Sequence, residues 1–136
     1  MLSNIVWITI ESARFDATSV GAGENGPLQE LIEQDDVRSF SSSHAHGIWT
    51  RASSASILTG TYPSHHRVGE NISDVLPNEI PTVPELLKEV GYRTTCLMNG
   101  AHVDETSGLD RGFDQMIQFS RDSLLSEVPY RTLVKY

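Results

Sequence analysis

The sequence predicts an α/β fold, in which helices cover both faces of a mostly parallel sheet. The first sign is an uninterrupted apolar run at residues 5–10, which is typical of a strand buried on both faces. The second is a helix-start pattern at residues 82–85, followed by another apolar stretch at 93–98. Because the predicted strands and helices alternate with short connections, their order indicates parallel βαβ units.

Two further helices and one short strand are predicted between these landmarks. Pro27 stands at a first helical position and opens a helix over about residues 27–34. A second helix follows Thr50, a residue of the N-cap type, and stops at Gly60. Residues 37–40 are predicted to form the short strand. The inner face of the second helix is small enough for close packing against a sheet, since it consists of Ala52, Ala55 and Ser56.

The composition excludes several classes of protein. The 136 residues fit a single domain, and 38% hydrophobic with 21% charged residues are typical of neither a disordered tail nor a membrane protein. A net charge of −8 argues against nucleic acid as the partner. A single cysteine excludes a disulfide framework and a thiolate metal cluster. The N-terminus lacks the pattern of a signal peptide, so we expect a cytoplasmic location.

The basic residues are mostly arginine. Acidic, lysine-poor surfaces are typical of halophile proteins from salt-loaded cytoplasm, and an ordinary acidic domain is an equally good interpretation.

Two clusters carry residues suited to catalysis. Glu11 and Ser12 follow the first predicted strand, at the position where α/β proteins bind ligands. Thr50 begins a predicted helix, and free N–H groups at a helix N-terminus favour an anion. A Thr hydroxyl needs a base or a metal to become a nucleophile, and a carboxylate such as Glu11 can hold a hard cation or zinc. The clusters suggest metal-assisted displacement at a phosphate or sulfate ester; the alternative is a simple helix cap and a surface acid.

Several other polar residues have a structural interpretation beside a functional one. His44 and His46 could face one side of an extended chain and bind a metal, although a solvated loop is the favoured interpretation. His66 is expected to pack and to make a backbone hydrogen bond. Cys96 lies in a predicted strand and is interpreted as a small hydrophobic residue.

Four segments together resemble sulfatases and their relatives in the alkaline phosphatase superfamily. Residues 4–16 resemble the opening of these enzymes, and residues 50–60 with the Tyr-Pro pair at 62–63 resemble their nucleophile signature. Residues 81–94 and 108–114 are similar to two further landmarks of the family, in the same order. The resemblance implies an alkaline phosphatase-like α/β fold.

The resemblance also implies roles for residues at the metal and the nucleophile. Glu11 stands where the family has a metal-binding Asp, one methylene shorter, and Ser12 stands where many sulfatases have a second Asp ligand. Thr50 stands at the nucleophile, which also contacts the metal. The implied cofactor is a divalent metal, namely Ca, Zn or Mn.

On the substrate side, the resemblance implies three further roles. Ser53 stands near the substrate's oxyanion, where its hydroxyl or N–H could donate a hydrogen bond. Ser54 replaces the arginine of the signature, and His102 lies where relatives often carry a substrate-binding histidine.

Thr50 decides the reaction type that the resemblance implies. Sulfatases of the main class convert Cys or Ser into formylglycine, and no such conversion is expected of Thr. Relatives with Thr here are similar to phosphodiesterases, which attack phosphorus directly. The expected function is therefore a metal-dependent hydrolase of small-molecule sulfate or phosphate esters. Two alternatives stay open: a degenerate, non-catalytic member that binds an anionic ligand or a protein, and a phosphotransferase-type relative.

Completeness of the site is a further expectation. Relatives take their second set of metal ligands from later in the chain, and no matching Asp with Asn or His follows Asp114. Residues 1–136 are therefore expected to be the N-terminal portion of a longer catalytic domain and to lack activity alone. An uncovered sheet edge would then favour self-association.

Overall fold

The computed structural model describes residues 3–69, 73–99 and 103–119. The chain divides into two compact units, the first ending at Ala45 and the second beginning at His46. The two units are described separately below.

The first unit consists of short helices joined by irregular chain. A 3-10 turn spans Phe15–Ala17, helix α1 spans Ser19–Ala22 and helix α2 spans Pro27–Ile32. The Thr18 hydroxyl caps α1 by accepting the Gly21 N–H at 3.2 Å. Pro27 is the first residue of α2, as predicted, and the helix ends two residues earlier than expected.

The predicted strands of the first unit do not form. Residues 5–10 and 37–40 lack strand pairing, and the apolar run is exposed rather than buried. Val6 is 82% exposed and Ile8 is 77% exposed. An apolar run predicts that a segment will be buried, but a strand also needs a partner to accept its backbone hydrogen bonds. Within the described residues of this unit no ladder supplies that partner.

The second unit is built around helix α3, which spans Thr50–Thr59. Gly60 ends it in the left-handed conformation with φ 67°, as predicted. The N-cap is Trp49, so the expectation that Thr50 caps the helix is wrong by one residue, and Thr50 is the first helical residue. The small inner face is buried as predicted, at Ala52, Ala55 and Ser56, but it does not pack against a sheet, since α3 contacts neither of the described strands.

A compact apolar core lies beside α3. Ala55 and Leu109 are fully buried, and they pack with Val68 and Leu76. The short helix α4 spans Pro63–His66 and contacts α3. The described part of the chain contains no helix that is long and apolar enough to cross a membrane.

A helix and a two-stranded parallel sheet complete the second unit. Helix α5 spans Val83–Glu89 and begins with the predicted capping box, in which Thr82 and Glu85 hydrogen-bond reciprocally. Strands β1 (Thr95–Met98) and β2 (Gln115–Gln118) pair in parallel. The predicted strand at 93–98 therefore forms, but its residues alternate between exposed and half-buried positions instead of being buried on both faces.

Polar contacts fix the start of both strands against α5. The Thr94 N–H donates to Asp114 Oδ2 at 2.9 Å, and Lys88 Nζ donates to Asp114 Oδ1 at 2.5 Å. Gly112 has φ 86° and approaches α5 so closely that an added Cβ would lie 2.2 Å from the Glu85 nitrogen. The helices and the small parallel sheet agree with an α/β fold.

Candidate active site around Thr50

Glu11 and Ser12 form a turn on the first unit, and both are exposed. Ser12 has φ 55°, a left-handed conformation that is uncommon for a residue with a side chain. Nearby, the Arg14 guanidinium donates through Nε to Asp16 Oδ1 at 3.0 Å, and Nη2 contacts the other carboxylate oxygen. This ion pair is exposed to solvent.

Thr50 is a half-buried residue in the first turn of α3. Backbone N–H groups in this turn of a helix have no carbonyl partner within the helix, and they favour an anion in front of them. The first intrahelical bond runs from the Ser53 N–H to the Trp49 carbonyl at 3.0 Å. Thr50, Ser53 and Ser54 lie three and four residues apart, so they share one side of the helix.

Two glycines let neighbouring loops close on this turn. A Cβ on Gly47 would lie 2.9 Å from the Ala52 Cβ, and one on Gly69 would lie 3.0 Å from the same atom. The Ser53 hydroxyl donates to the Gly47 carbonyl at 2.9 Å and ties the preceding loop to the helix. The loop before Thr50 is therefore fixed at two points. Ser53 gives its N–H and its hydroxyl proton to backbone carbonyls in this structure, although it was expected to donate toward substrate.

A buried hydrogen-bonded histidine connects α3 to α4. His66 is fully buried, and its Nδ1 accepts the Val68 N–H at 3.0 Å. Because Nδ1 accepts, the proton of the neutral ring lies on Nε2, which is 2.9 Å from Ser56 Oγ and can donate to it. This arrangement agrees with the expected packing and backbone hydrogen bond. Through His66, Ser56 of α3 is connected to the backbone of Val68, which follows α4.

Arg51, directly after Thr50, is a residue that sequence reasoning did not select. Its guanidinium lies between two carboxylates, with Nη1 3.8 Å from Asp74 Oδ2 and Nη2 3.9 Å from Asp104 Oδ2. Hydrogen bonds from the Thr106 hydroxyl and the Ser107 N–H, with the nearby Arg51 charge, hold the pKa of Asp104 below its usual value. The only signal in the sequence was an arginine adjacent to the candidate nucleophile, among the otherwise small residues of 50–56.

The residues predicted for the site are divided between the two units. Thr50, Ser53 and Ser54 lie together on α3, whereas Glu11 and Ser12 belong to the other unit. His102 lies outside the described residues.

The remaining histidines and the cysteine show no sign of a metal site. His46 makes an edge-to-face contact with Tyr62 at a centroid distance of 4.6 Å. Partial burial raises the pKa of the Cys96 thiol, which fits a small hydrophobic residue. Among the described residues, no three His, Cys, Asp or Glu side chains gather in a group that could hold a metal ion.

Comparison with known proteins identifies a family over nearly the whole chain. A family model described as Sulfatase matches residues 3–132. No curated protein and no solved structure matches the chain. The matched range includes every residue predicted for the site, from Glu11 to His102.

Proposed function

Because the chain belongs to the sulfatase family, we propose that it serves the hydrolysis of sulfate or phosphate esters with Thr50 as the nucleophile. The observation that carries this proposal is the position of Thr50 in the first turn of α3, under a loop fixed by Gly47 and Ser53. A hydroxyl held there lies beside N–H groups that favour the anionic end of an ester.

The proposed reaction is a double displacement. The Thr50 hydroxyl oxygen attacks phosphorus or sulfur, the bond to the ester alcohol breaks, and the hydroxyl proton is transferred so that the alcohol leaves neutral. Water then attacks the phospho- or sulfo-threonine, the bond to Thr50 breaks, and the hydroxyl regains a proton. No aldehyde takes part, because formylglycine is not expected from Thr.

The family generally uses a divalent metal, and the described residues provide an incomplete donor set for one. Glu11 offers one carboxylate, and Ser12 and Thr50 offer hydroxyl groups. Hard cations accept such oxygen donors, but hydrolytic metal sites usually have about three or more carboxylate, imidazole or thiolate ligands from the protein, and of these three residues only Glu11 supplies one. The donors do not fit a complete site, so neither step above is assigned to a metal. The metal-ligand roles of Glu11 and Ser12 stay predictions.

Replacement of Thr50 tests the nucleophile, and it is made in the complete catalytic domain of which residues 1–136 are expected to form the N-terminal portion. Thr50→Ala should lower kcat by about a thousandfold or more, because removing a nucleophile abolishes the covalent path. The matched control is Thr59→Ala at the other end of α3, where the hydroxyl donates to the Ala55 carbonyl at 2.7 Å. Mass spectrometry after acid quenching should find a phosphate on Thr50 during turnover. Unchanged turnover by Thr50→Ala, with no adduct, would contradict the assignment.

The nature of the nucleophile also predicts a substrate preference. A threonine alkoxide is expected to attack phosphorus directly, so phosphodiesters should have a higher kcat/KM than sulfate esters of the same alcohol. A panel of nitrophenyl phosphodiester, phosphomonoester and sulfate, each with Ca, Zn or Mn added, measures this order. A clear preference for sulfate would show that Thr50 does not decide the substrate class.

Ligand binding without turnover is the second candidate function. It is favoured because the described residues contain no group of three or more His, Cys, Asp or Glu side chains that could hold a metal ion. A chain of this kind should bind an unreactive phosphonate without hydrolysing any ester of the panel. Calorimetry with the phosphonate, run beside the activity panel, separates the two functions.

A further inference from the structure

We propose that Arg51 is a positioning residue for Thr50: its guanidinium ties the first turn of α3 to two loops, at Asp74 and Asp104. The inference rests on the proposed role of Thr50 as nucleophile and adds the device that would hold this nucleophile in place. Arg51 contributes through the backbone that it shares with Thr50, without touching substrate.

The guanidinium makes a two-armed contact. Its two terminal nitrogens point to different loops, at 3.8 Å from Asp74 Oδ2 and 3.9 Å from Asp104 Oδ2. Arg51 is 27% exposed and Asp104 is 34% exposed, so the contact between them is screened less than an open surface pair, whereas Asp74 is 74% exposed. At these distances the contacts are ion pairs without a hydrogen bond, and a permanently charged guanidinium with two terminal nitrogens faces both carboxylates at once, which a single lysine nitrogen cannot do in the same way.

The contact with Asp104 is connected to the core through a hydrogen-bonded turn. Asp104 Oδ1 accepts the Ser107 N–H and the Thr106 hydroxyl, each at 2.8 Å. Ser107 is fully buried, and its carbonyl accepts the Leu76 N–H at 2.8 Å. The carboxylate that faces Arg51 is therefore held by the same turn that packs against the core.

The contact with Asp74 is connected to the core through the neighbouring residue Ser73. The neighbouring Ser73 carbonyl accepts the Gly69 N–H at 3.0 Å, and Ser73 forms a bridge with the fully buried Val68. Gly69 is also the residue that closes on Ala52 in the first turn of α3. Both arms of Arg51 thus end on chain that is anchored beside the nucleophile.

The surrounding charge favours positioning over substrate binding. Arg51 faces two carboxylates, so the three groups together carry a net negative charge. An anionic ester that recruited Arg51 would leave Asp74 and Asp104 without their cation, which opposes binding at that place. A misplacement of about 1 Å at a nucleophile lowers turnover by up to about a hundredfold.

Kinetics of the complete catalytic domain, of which residues 1–136 are expected to form the N-terminal portion, test the proposal. Arg51→Met should lower kcat about tenfold to a hundredfold and leave KM within about twofold. Arg51→Lys should recover part of this loss. Asp104→Asn should add little to Arg51→Met, since the contact between Arg51 and Asp104 is already lost in Arg51→Met. The control is Arg93→Met, an exposed arginine of the same unit with no ion pair among the described residues. A raised KM with unchanged kcat would overturn the proposal, because it would mean that Arg51 binds substrate.

Amide hydrogen exchange gives a second readout that does not need turnover. In Arg51→Met the Ser53 N–H, at the first bond of α3, should exchange about tenfold faster. The Gly60 N–H at the last bond, 2.9 Å from the Ser56 carbonyl, should keep its rate. The proposal would be overturned if the Ser53 N–H exchanged at the same rate in Arg51→Met and in the control Arg93→Met. Thr50→Ala, assayed in parallel, separates this result from failure of the proposed function, because retained turnover there contradicts the nucleophile and leaves the exchange test intact.

Discussion

The two units of the chain differ in where their apolar residues lie. In the described part of the first unit, residues 3–45, no residue is buried, and the run at 5–10 faces solvent. The second unit holds a fully buried core that includes Val68 and Leu109. Its helices begin and end at local signals such as the capping box at Thr82. The difference shows that a helix start or stop forms wherever its few residues are present, whereas a strand forms only if another strand lies beside it.

Glycine replacements should give the largest contrast. Gly112→Ala should cost about 3–4 kcal/mol of unfolding free energy, because its Cβ would overlap the start of α5 at a positive φ. Gly60→Ala is the matched control: it has φ 67° but no atom within 4 Å of the added Cβ. We expect it to cost only about 1 kcal/mol. Urea denaturation measures both, and similar losses would mean that the close approach at Gly112 is unimportant.

A valine-to-alanine substitution in each unit compares the stability contribution of a buried valine with that of an exposed one. Val68→Ala should cost about 2 kcal/mol, because it removes two buried methyl groups and leaves a cavity. Val6→Ala should change the unfolding free energy by less than about 0.5 kcal/mol, because Val6 is 82% exposed. Thermal and urea unfolding of the pair test this. An equal loss for Val6 would show that residues 5–10 are buried in solution.

The smallest expected effect is a pH dependence of the second unit. The hydrogen bond from Lys88, with that from the Thr94 N–H, lowers the pKa of Asp114 to about 2. The pKa of an unfolded Asp is about 3.9, so the unfolded state takes up the proton first as the pH is lowered. The free energy of unfolding therefore decreases as the pH decreases. The contribution is fully present above about pH 4 and is lost toward about pH 2.

Variants of this pair isolate the contribution from that of other carboxylates. Asp114→Asn and Lys88→Met should each make the urea midpoint less dependent on pH between about 4 and 2. Lys88→Met should retain a residual dependence, because the Thr94 N–H still donates to Asp114. Slopes identical to that of the unchanged chain would show that this carboxylate does not contribute.

Sequence reasoning succeeded where a signal is completed within a few residues. The capping box at 82–85 and the stop at Gly60 formed as predicted, since each needs only its own backbone. The small inner face of α3 was also predicted correctly. The strands at 5–10 and 37–40 were predicted but do not form. Their hydrogen bonds need a partner strand that is distant in sequence, and hydrophobicity alone does not specify it.

The site was less accessible to sequence reasoning than the helices. The motif predicted the family and the position of Thr50 in the chain. It did not predict that the Ser53 hydroxyl donates to the Gly47 carbonyl. Arg51 was not selected, because its partners Asp74 and Asp104 are 23 and 53 residues away in the sequence. Contacts over such separations depend on the fold and leave no local pattern.

The exposed run at residues 5–10 has a consequence for the colloidal behaviour of the protein. Six uncharged residues with high β-propensity and no proline form the kind of segment that nucleates cross-β assembly. At neutral pH the net charge of −8 keeps molecules apart. That repulsion disappears as the solution approaches the isoelectric point of about 4.9, so concentrated, mildly acidic solutions are where this protein should precipitate first.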